Sequence, residues 1–66
     1  MISDLDAYRG AALFIKQRGD DAELRAAERA DELLEQGDLD GAATWRLILA
    51  AIEELRQQMR EGEAVN

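Results

Sequence analysis

The dipeptide Gly-Asp occurs twice in this chain, which contains no proline. Glycine is favoured just past a helix end because it adopts left-handed dihedral angles at little cost, and aspartate is favoured at a helix start because its carboxylate accepts hydrogen bonds from free backbone N–H groups. Gly19-Asp20 and Gly37-Asp38 therefore each predict the end of one helix and the start of the next. The pattern predicts three helices, over about residues 4–17, 21–35 and 39–60, and a frayed C-terminal tail over 61–66.

The residues around these turns predict the side chains that cap each helix. Ser3, with Asp6 three residues later, is a start signal for the first helix. Asp20 and Glu23 have the spacing of a capping box, with aspartate in the place of serine or threonine. Asp38 is predicted to cap the third helix.

The segment QGDLDGAATW has two aspartates before a glycine, a feature that calcium-binding loops share. When Gly41 is aligned with the glycine of an EF-hand loop, Gln36 takes the first ligand position and Leu47 takes the last, where a bidentate glutamate is required. The segment is therefore predicted to be a turn, with Asp40 near the positive end of the third helix. Because Gly41 lies one turn before Trp45, we expect a larger residue there to collide with a neighbouring helix.

Apolar residues recur at helical spacing in all three segments and predict the face that each helix buries. Alanines four residues apart on the second helix would let another helix approach closely, and Trp45 is the predicted centre of the core. The fold class is all-α, as a three-helix bundle or an orthogonal three-helix arrangement with short Gly-Asp turns and the third helix longest. The predicted core residues are Leu5, Tyr8, Ala11, Ala12 and Ile15; Ala22, Ala26, Ala30 and Leu33; and Trp45, Ile48, Ile52, Leu55 and Met59.

Some apolar residues fall outside these faces and predict a homodimer. Phe14 lies away from the apolar stripe of the first helix, beside the small residues Ala7 and Gly10, and the apolar arc of the third helix extends through Leu47 and Ala51. These five residues form the candidate interface, because a two-fold pair would bury them against the same surface of a second copy. The alternative is that the first two helices wrap the third helix enough to cover both sides.

Composition limits the kinds of function that this chain can have. Its 66 residues form one domain, with neither cysteine nor histidine, so disulfides and the thiolate and imidazole ligands of zinc are absent. Its net charge of −7 disfavours direct contact with nucleic acid or an anionic membrane surface. The N-terminus does not read as a signal peptide and no apolar run is long enough to span a bilayer, so a cytoplasmic location is expected.

Catalytic and cofactor-binding patterns are not found in the sequence. A chain without histidine has neither a Ser-His-Asp triad nor the ExxH pair of a diiron bundle, and Ser3 and Thr44 have no evident base. Arg18-Gly19-Asp20 matches an integrin-binding tripeptide but spans a predicted helix junction, and the acidic residues of the second helix predict a solvated face. We therefore expect no catalytic residue, no cofactor and no metal site.

Two stretches resemble known proteins. GDLDGAATWRLILAAIEEL resembles the second helix of a tetratricopeptide repeat. The motifs GDDA at 19–22, RADE at 29–32 and the Gly-Asp turn leading to Trp45 resemble small alphaproteobacterial proteins of unknown function. The second resemblance covers most of the chain and implies a bacterial cytoplasmic setting.

These observations favour a small, non-enzymatic helical protein that associates with itself and binds another protein. The alternative is an acidic decoy that occupies the basic site of a nucleic-acid-binding protein. Salt distinguishes the two, because a decoy's affinity would rest on screened charges, whereas an apolar interface is less sensitive to ionic strength.

Overall fold

The computed structural model describes the backbone of residues 3–65 and the side chains of residues 3–60. The described chain is helical and contains no strand, which confirms the predicted all-α class. Helix α1 spans Asp4–Arg18, a 3₁₀ turn spans Gly19–Asp21, α2 spans Ala22–Glu35 and α3 spans Leu39–Val65. The three α-helices contain 15, 14 and 27 residues respectively.

Helix α3 continues to Val65, although the sequence predicted an end near residue 60 and a frayed tail beyond it. The segment contains no proline to stop the helix. Gly62 by itself lowers helix propensity by only about 1 kcal/mol relative to alanine, and its neighbours are mostly good helix formers. Asn66 lies outside the described residues.

The second turn has the predicted structure. Gly37 is left-handed, with φ +82°, and two backbone hydrogen bonds close the end of α2: the Gly37 N–H donates to the Leu34 carbonyl at 3.0 Å, and the Asp38 N–H donates to the Leu33 carbonyl at 2.9 Å. The Asp38 carboxylate accepts a 2.9 Å hydrogen bond from the Gly41 N–H. The predicted helix end and the predicted cap are both confirmed.

The reason for glycine at position 41 differs from the prediction. A Cβ atom at Gly41 would lie 2.5 Å from Oδ2 of Asp38, rather than against a neighbouring helix. Position 41 is therefore small because the capping carboxylate folds over it.

The first turn is built differently from the predicted capping box. Gly19 ends α1 with φ +58°, and its N–H donates to the Ile15 carbonyl. The 3₁₀ turn then leads directly into α2, and neither the residue before the turn nor Asp21 before α2 makes a side-chain cap. The predicted Asp20 cap is therefore wrong, because backbone hydrogen bonds of the turn, such as that from the Ala22 N–H to the Gly19 carbonyl, continue the helix. At the other end of α1 the Ser3 cap is confirmed, with its Oγ accepting from the Asp6 N–H at 3.2 Å.

The core is built mostly from alanine. Helix α3 packs against both α1 and α2, and Ile52 is the one large side chain that is fully buried among those described. Its buried neighbours are Ala7, Ala11, Ala22, Ala26 and Ala51. The predicted α2 stripe of Ala22, Ala26, Ala30 and Leu33 is confirmed as buried.

The buried faces of α1 and α3 differ from the prediction. Leu5 is 60% exposed and Ala12 is exposed, because α1 turns the small side chains of Ala7 and Ala11 toward α3. Trp45 is only partly buried and Met59 is exposed, so Ile52 takes the central position predicted for Trp45. Small side chains let helices approach closely, and this approach decides which face of α1 is covered.

Candidate functional site

A cleft of about 340 Å³ opens where all three helices meet. Two aromatic rings, three guanidinium groups and two carboxylates line it. We call it the arginine-aromatic cleft, and define it by Phe14, Trp45, Arg18, Arg25, Arg29, Glu28 and Glu32.

The apolar wall of the cleft is an aromatic pair. The rings of Phe14 and Trp45 are 5.3 Å apart at their centroids and inclined by 68°, an edge-to-face contact. Both side chains are partly buried and pack against the alanine core on one side. The position of Phe14 follows from the packing of α1, because Phe14 is one helical turn beyond the buried Ala11. The other side of the pair borders the cleft.

Arg25 and Arg29 lie one turn apart on α2 and form the second wall. Arg25 is 3.5 Å from Glu28 and Arg29 is 3.2 Å from Glu32, each pair being three residues apart on the same helix. All four side chains are about half exposed. Exposed ion pairs of this kind contribute about 0.2–1 kcal/mol, so a carboxylate from a partner can compete for either guanidinium.

Arg18 completes the cleft at the end of α1. Its guanidinium carbon lies 5.9 Å from the centroid of the Phe14 ring, within the range of a cation–π interaction. Among the described side chains, Arg18 forms no ion pair with a carboxylate. Because a guanidinium presents five N–H donors in a planar fork that matches a carboxylate, Arg18 is suited to hold an external anion beside the aromatic wall.

The charge of the cleft is opposite to that of the chain. Three guanidinium groups and two carboxylates give a formal charge of +1, whereas the whole chain carries −7. The cleft is therefore a local basic site beside an apolar surface. A ligand that combines one anionic group with one apolar group matches both features.

A second cleft, of about 200 Å³, lies between α1 and α3 and has acidic groups at its edge. Asp4, Tyr8 and Glu54 line it together with small or apolar residues of α3. The Tyr8 hydroxyl donates to the Glu54 carboxylate, and this hydrogen bond is the main cause that raises the pKa of the phenol above its ordinary value of 10.0. The two clefts thus differ in charge as well as in position.

The five residues predicted as a dimer interface lie on α1 and α3, where these two helices pack together. Ala7 and Ala51 are 4% and 6% exposed and belong to the alanine core, and together with Leu47 they also line the second cleft. Phe14 and Leu47 are partly buried against that core. A Cβ atom at Gly10 would lie 3.9 Å from Ile48 of the same chain. The homodimer interface stays a prediction.

The described side chains contain no group of three or more potential metal ligands. Asp38, one of the two aspartates considered for a calcium loop, caps α3. None of the described helices has a stretch both long and apolar enough to cross a membrane.

Comparison with protein-family models, with curated proteins and with solved structures gave no match to this chain. The resemblance to small alphaproteobacterial proteins stays a prediction.

The sequence reasoning missed the three arginines of the cleft. Their signal was present, because Phe14 and Arg18 are four residues apart on one helix, as are Arg25 and Arg29 on the next. Residues four apart share a helix face. That these two faces meet at Trp45 depends on how α1 and α2 pack, which local spacing does not indicate.

Proposed function

We propose that this chain is a small, non-enzymatic helical module that binds protein segments in the arginine-aromatic cleft. One observation carries the proposal: Arg18 lies over Phe14 beside Trp45 and has no carboxylate partner among the described side chains. Arginine and aromatic residues are enriched where protein interfaces gain most of their binding free energy. The absence of histidine and cysteine from the sequence supports a binding function over a catalytic one.

The proposal includes an orthogonal arrangement of the three helices. Phe14 contacts Trp45 in the first half of α3, whereas the Gly19 carbonyl, at the end of α1, accepts a hydrogen bond from Arg56 in its second half. The two contacts are eleven residues, about 16 Å, apart on α3 but only five residues, about 8 Å, apart on α1. Helices that ran side by side would have similar spacings between their contacts. The difference therefore favours a path of α1 across α3. Such a path leaves the end of α1 and the basic face of α2 side by side, which opens the cleft. The resemblance to alphaproteobacterial proteins supports a cytoplasmic setting.

Capture from a lysate of the native host tests the proposal. The wild-type chain, Arg18→Glu and Arg9→Glu are each immobilised and compared at low and high salt. Arg9 is a matched control, because it is exposed on the same helix outside the cleft and its substitution changes the net charge equally. We expect a partner that wild type and Arg9→Glu retain and Arg18→Glu loses.

Two results would count against the proposal. Capture that Arg18→Glu and Arg9→Glu weaken equally would indicate that only net charge matters. A basic partner that is lost steeply with salt from all three chains would favour the decoy function instead.

A further inference from the structure

We infer that the arginine-aromatic cleft binds a second copy of this chain, through that copy's Asp4-Leu5-Asp6 segment. This inference rests on the proposed function, because it names the occupant of the same cleft. The cleft selects for an apolar side chain close to a carboxylate, and this segment presents both at the surface.

Leu5 is among the most exposed large apolar side chains described, at 60%. It stands in the first turn of α1 between two aspartates whose side chains are also exposed. The Ser3 hydroxyl caps this helix by accepting from the Asp6 N–H, so neither aspartate side chain makes the cap. Among the described side chains, the carboxylates of Asp4 and Asp6 form no ion pair.

The chemistry of the segment complements that of the cleft. Leu5 of one copy is placed against the Phe14 and Trp45 rings of the other, which removes apolar surface from water on both sides. A flanking carboxylate then reaches the Arg18 guanidinium, where paired N–H donors form a charge-assisted bidentate contact. The contact uses the one cleft arginine that is unpaired among the described side chains and leaves the two pairs on α2 in place.

A phosphate group or a nucleic acid fits the same cleft less well. Glu28 and Glu32 stand beside the arginines and repel a ligand that carries more than one negative charge. Asp4 and Asp6 are two positions apart and do not share a face of α1, so only one carboxylate of the segment reaches the cleft and it meets less of this repulsion.

The same tripeptide recurs at the start of α3, as Asp38-Leu39-Asp40, and Leu39 is 67% exposed. Its first carboxylate accepts a hydrogen bond from the Gly41 N–H at 2.9 Å, and a partner that drew Asp38 away would uncap α3. The structure thus assigns the contact to Asp4-Leu5-Asp6. The second tripeptide supplies a control of the same composition and similar exposure.

Both halves of the contact belong to every copy, since Asp4-Leu5-Asp6 begins α1 and Arg18 ends it. A two-fold pair forms two such contacts at once and closes the assembly.

Sedimentation equilibrium over a range of concentration tests the inference on the full chain. The wild type should exceed its monomer mass of 7.4 kDa as concentration rises. Leu5→Ala should raise the dissociation constant at least about tenfold, as expected for a central apolar contact, whereas Leu39→Ala should leave it unchanged. Trp45 is the sole tryptophan and lies in the cleft, so its emission should change with concentration in the wild type and in Leu39→Ala.

A charge exchange adds a readout that loss of folding cannot imitate. Arg18→Glu alone, and Asp4→Lys with Asp6→Lys alone, should each associate more weakly than the wild type. An equimolar mixture of the two variants should regain association, because the new glutamate of one copy then faces the new lysines of the other. A mixture that stays monomeric while both variants remain helical overturns the assignment.

The outcomes separate this inference from the proposed function. A chain that remains monomeric at all concentrations but still captures a partner in an Arg18-dependent manner refutes the second copy and leaves the protein-binding cleft in place. Association that Leu39→Ala weakens as much as Leu5→Ala also refutes the assignment to α1.

Discussion

The Arg56 guanidinium holds the Glu23 carboxylate, and thereby joins α3 to the first turn of α2. Its Nε donates to both carboxylate oxygens at 3.2 and 3.3 Å, and Nη2 donates to Oε1 at 3.1 Å. Nη2 also donates to the Gly19 carbonyl at the end of α1. A single side chain thus connects the α1–α2 junction to α3, at the place where the predicted Asp20 cap is missing.

Replacement of Arg56 by alanine should therefore destabilise the fold. We expect the free energy of unfolding in urea to fall by about 1–2 kcal/mol, because the Gly19 carbonyl and the Glu23 carboxylate lose a charged donor. Arg46→Ala is the control, since Arg46 is exposed on the same helix and forms no ion pair among the described side chains. Its effect should stay within about 0.5 kcal/mol. Equal losses in the two variants would show that the Arg56 contacts add no stability.

The same contact predicts a dependence of stability on pH. The hydrogen bond from Arg56 holds the pKa of Glu23 below its ordinary value of 4.5. A lowered pKa stabilises the fold above the ordinary carboxyl pKa, and this contribution is lost as pH falls through the lowered value. The gap in unfolding free energy between wild type and Arg56→Ala should therefore be widest near neutral pH and narrow in acid. A gap that stays constant over that range would contradict the assignment.

The two Gly-Asp turns should respond differently to loss of the aspartate. Asp38→Ala should lower the free energy of unfolding by about 0.5–2 kcal/mol, because the Gly41 N–H loses its acceptor. Asp20→Ala should change it by less than about 0.5 kcal/mol, since no side chain caps that turn. Urea unfolding of both variants in one buffer measures the two losses. A larger loss for Asp20→Ala than for Asp38→Ala would support a capping box at the first turn.

Alanine at Gly10, within α1, and at Gly19, just after it, should have effects of opposite sign. Gly19 has φ +58° and ψ −130°, a conformation that strains other residues, so Gly19→Ala should destabilise by about 1–3 kcal/mol. Gly10 lies within the helix, where a Cβ atom would meet Ile48 at an ordinary distance of 3.9 Å. Gly10→Ala should therefore stabilise by about 0.5–1 kcal/mol. Thermal unfolding of both variants measures the two signs, and a loss at Gly10 would indicate a closer packing against α3.

Tyr8 is the sole tyrosine, so its ionisation can be followed by ultraviolet absorbance. The hydrogen bond to Glu54 raises the pKa of the phenol above 10.0. Its contribution to stability is present below the ordinary phenol pKa and is lost as pH rises through the raised value. Glu54→Gln should lower the midpoint of the titration toward the ordinary value. Glu53→Gln, at an exposed neighbouring position, should leave the midpoint of the Tyr8 titration unchanged. An equal shift in both variants would show that only the net charge matters.

The sequence by itself determined the all-α class, the second turn and the buried face of α2. The α2 face is marked by alanines that repeat every four residues. The turn and the helix starts depend on interactions within a few residues, namely the left-handed Gly37 and the Asp38 and Ser3 caps. Such local preferences are largely independent of what packs against them.

The tertiary structure alone decided the face that α1 buries, the centre of the core and the cleft. Leu5 is more hydrophobic than Ala7, yet Ala7 is buried, because the close approach of two helices depends on small side chains on both partners. The contact of Arg56 with Glu23 joins residues 33 positions apart, and that with Gly19 joins residues 37 apart. A one-dimensional pattern does not indicate which distant residues meet, because packing selects among several faces of similar polarity.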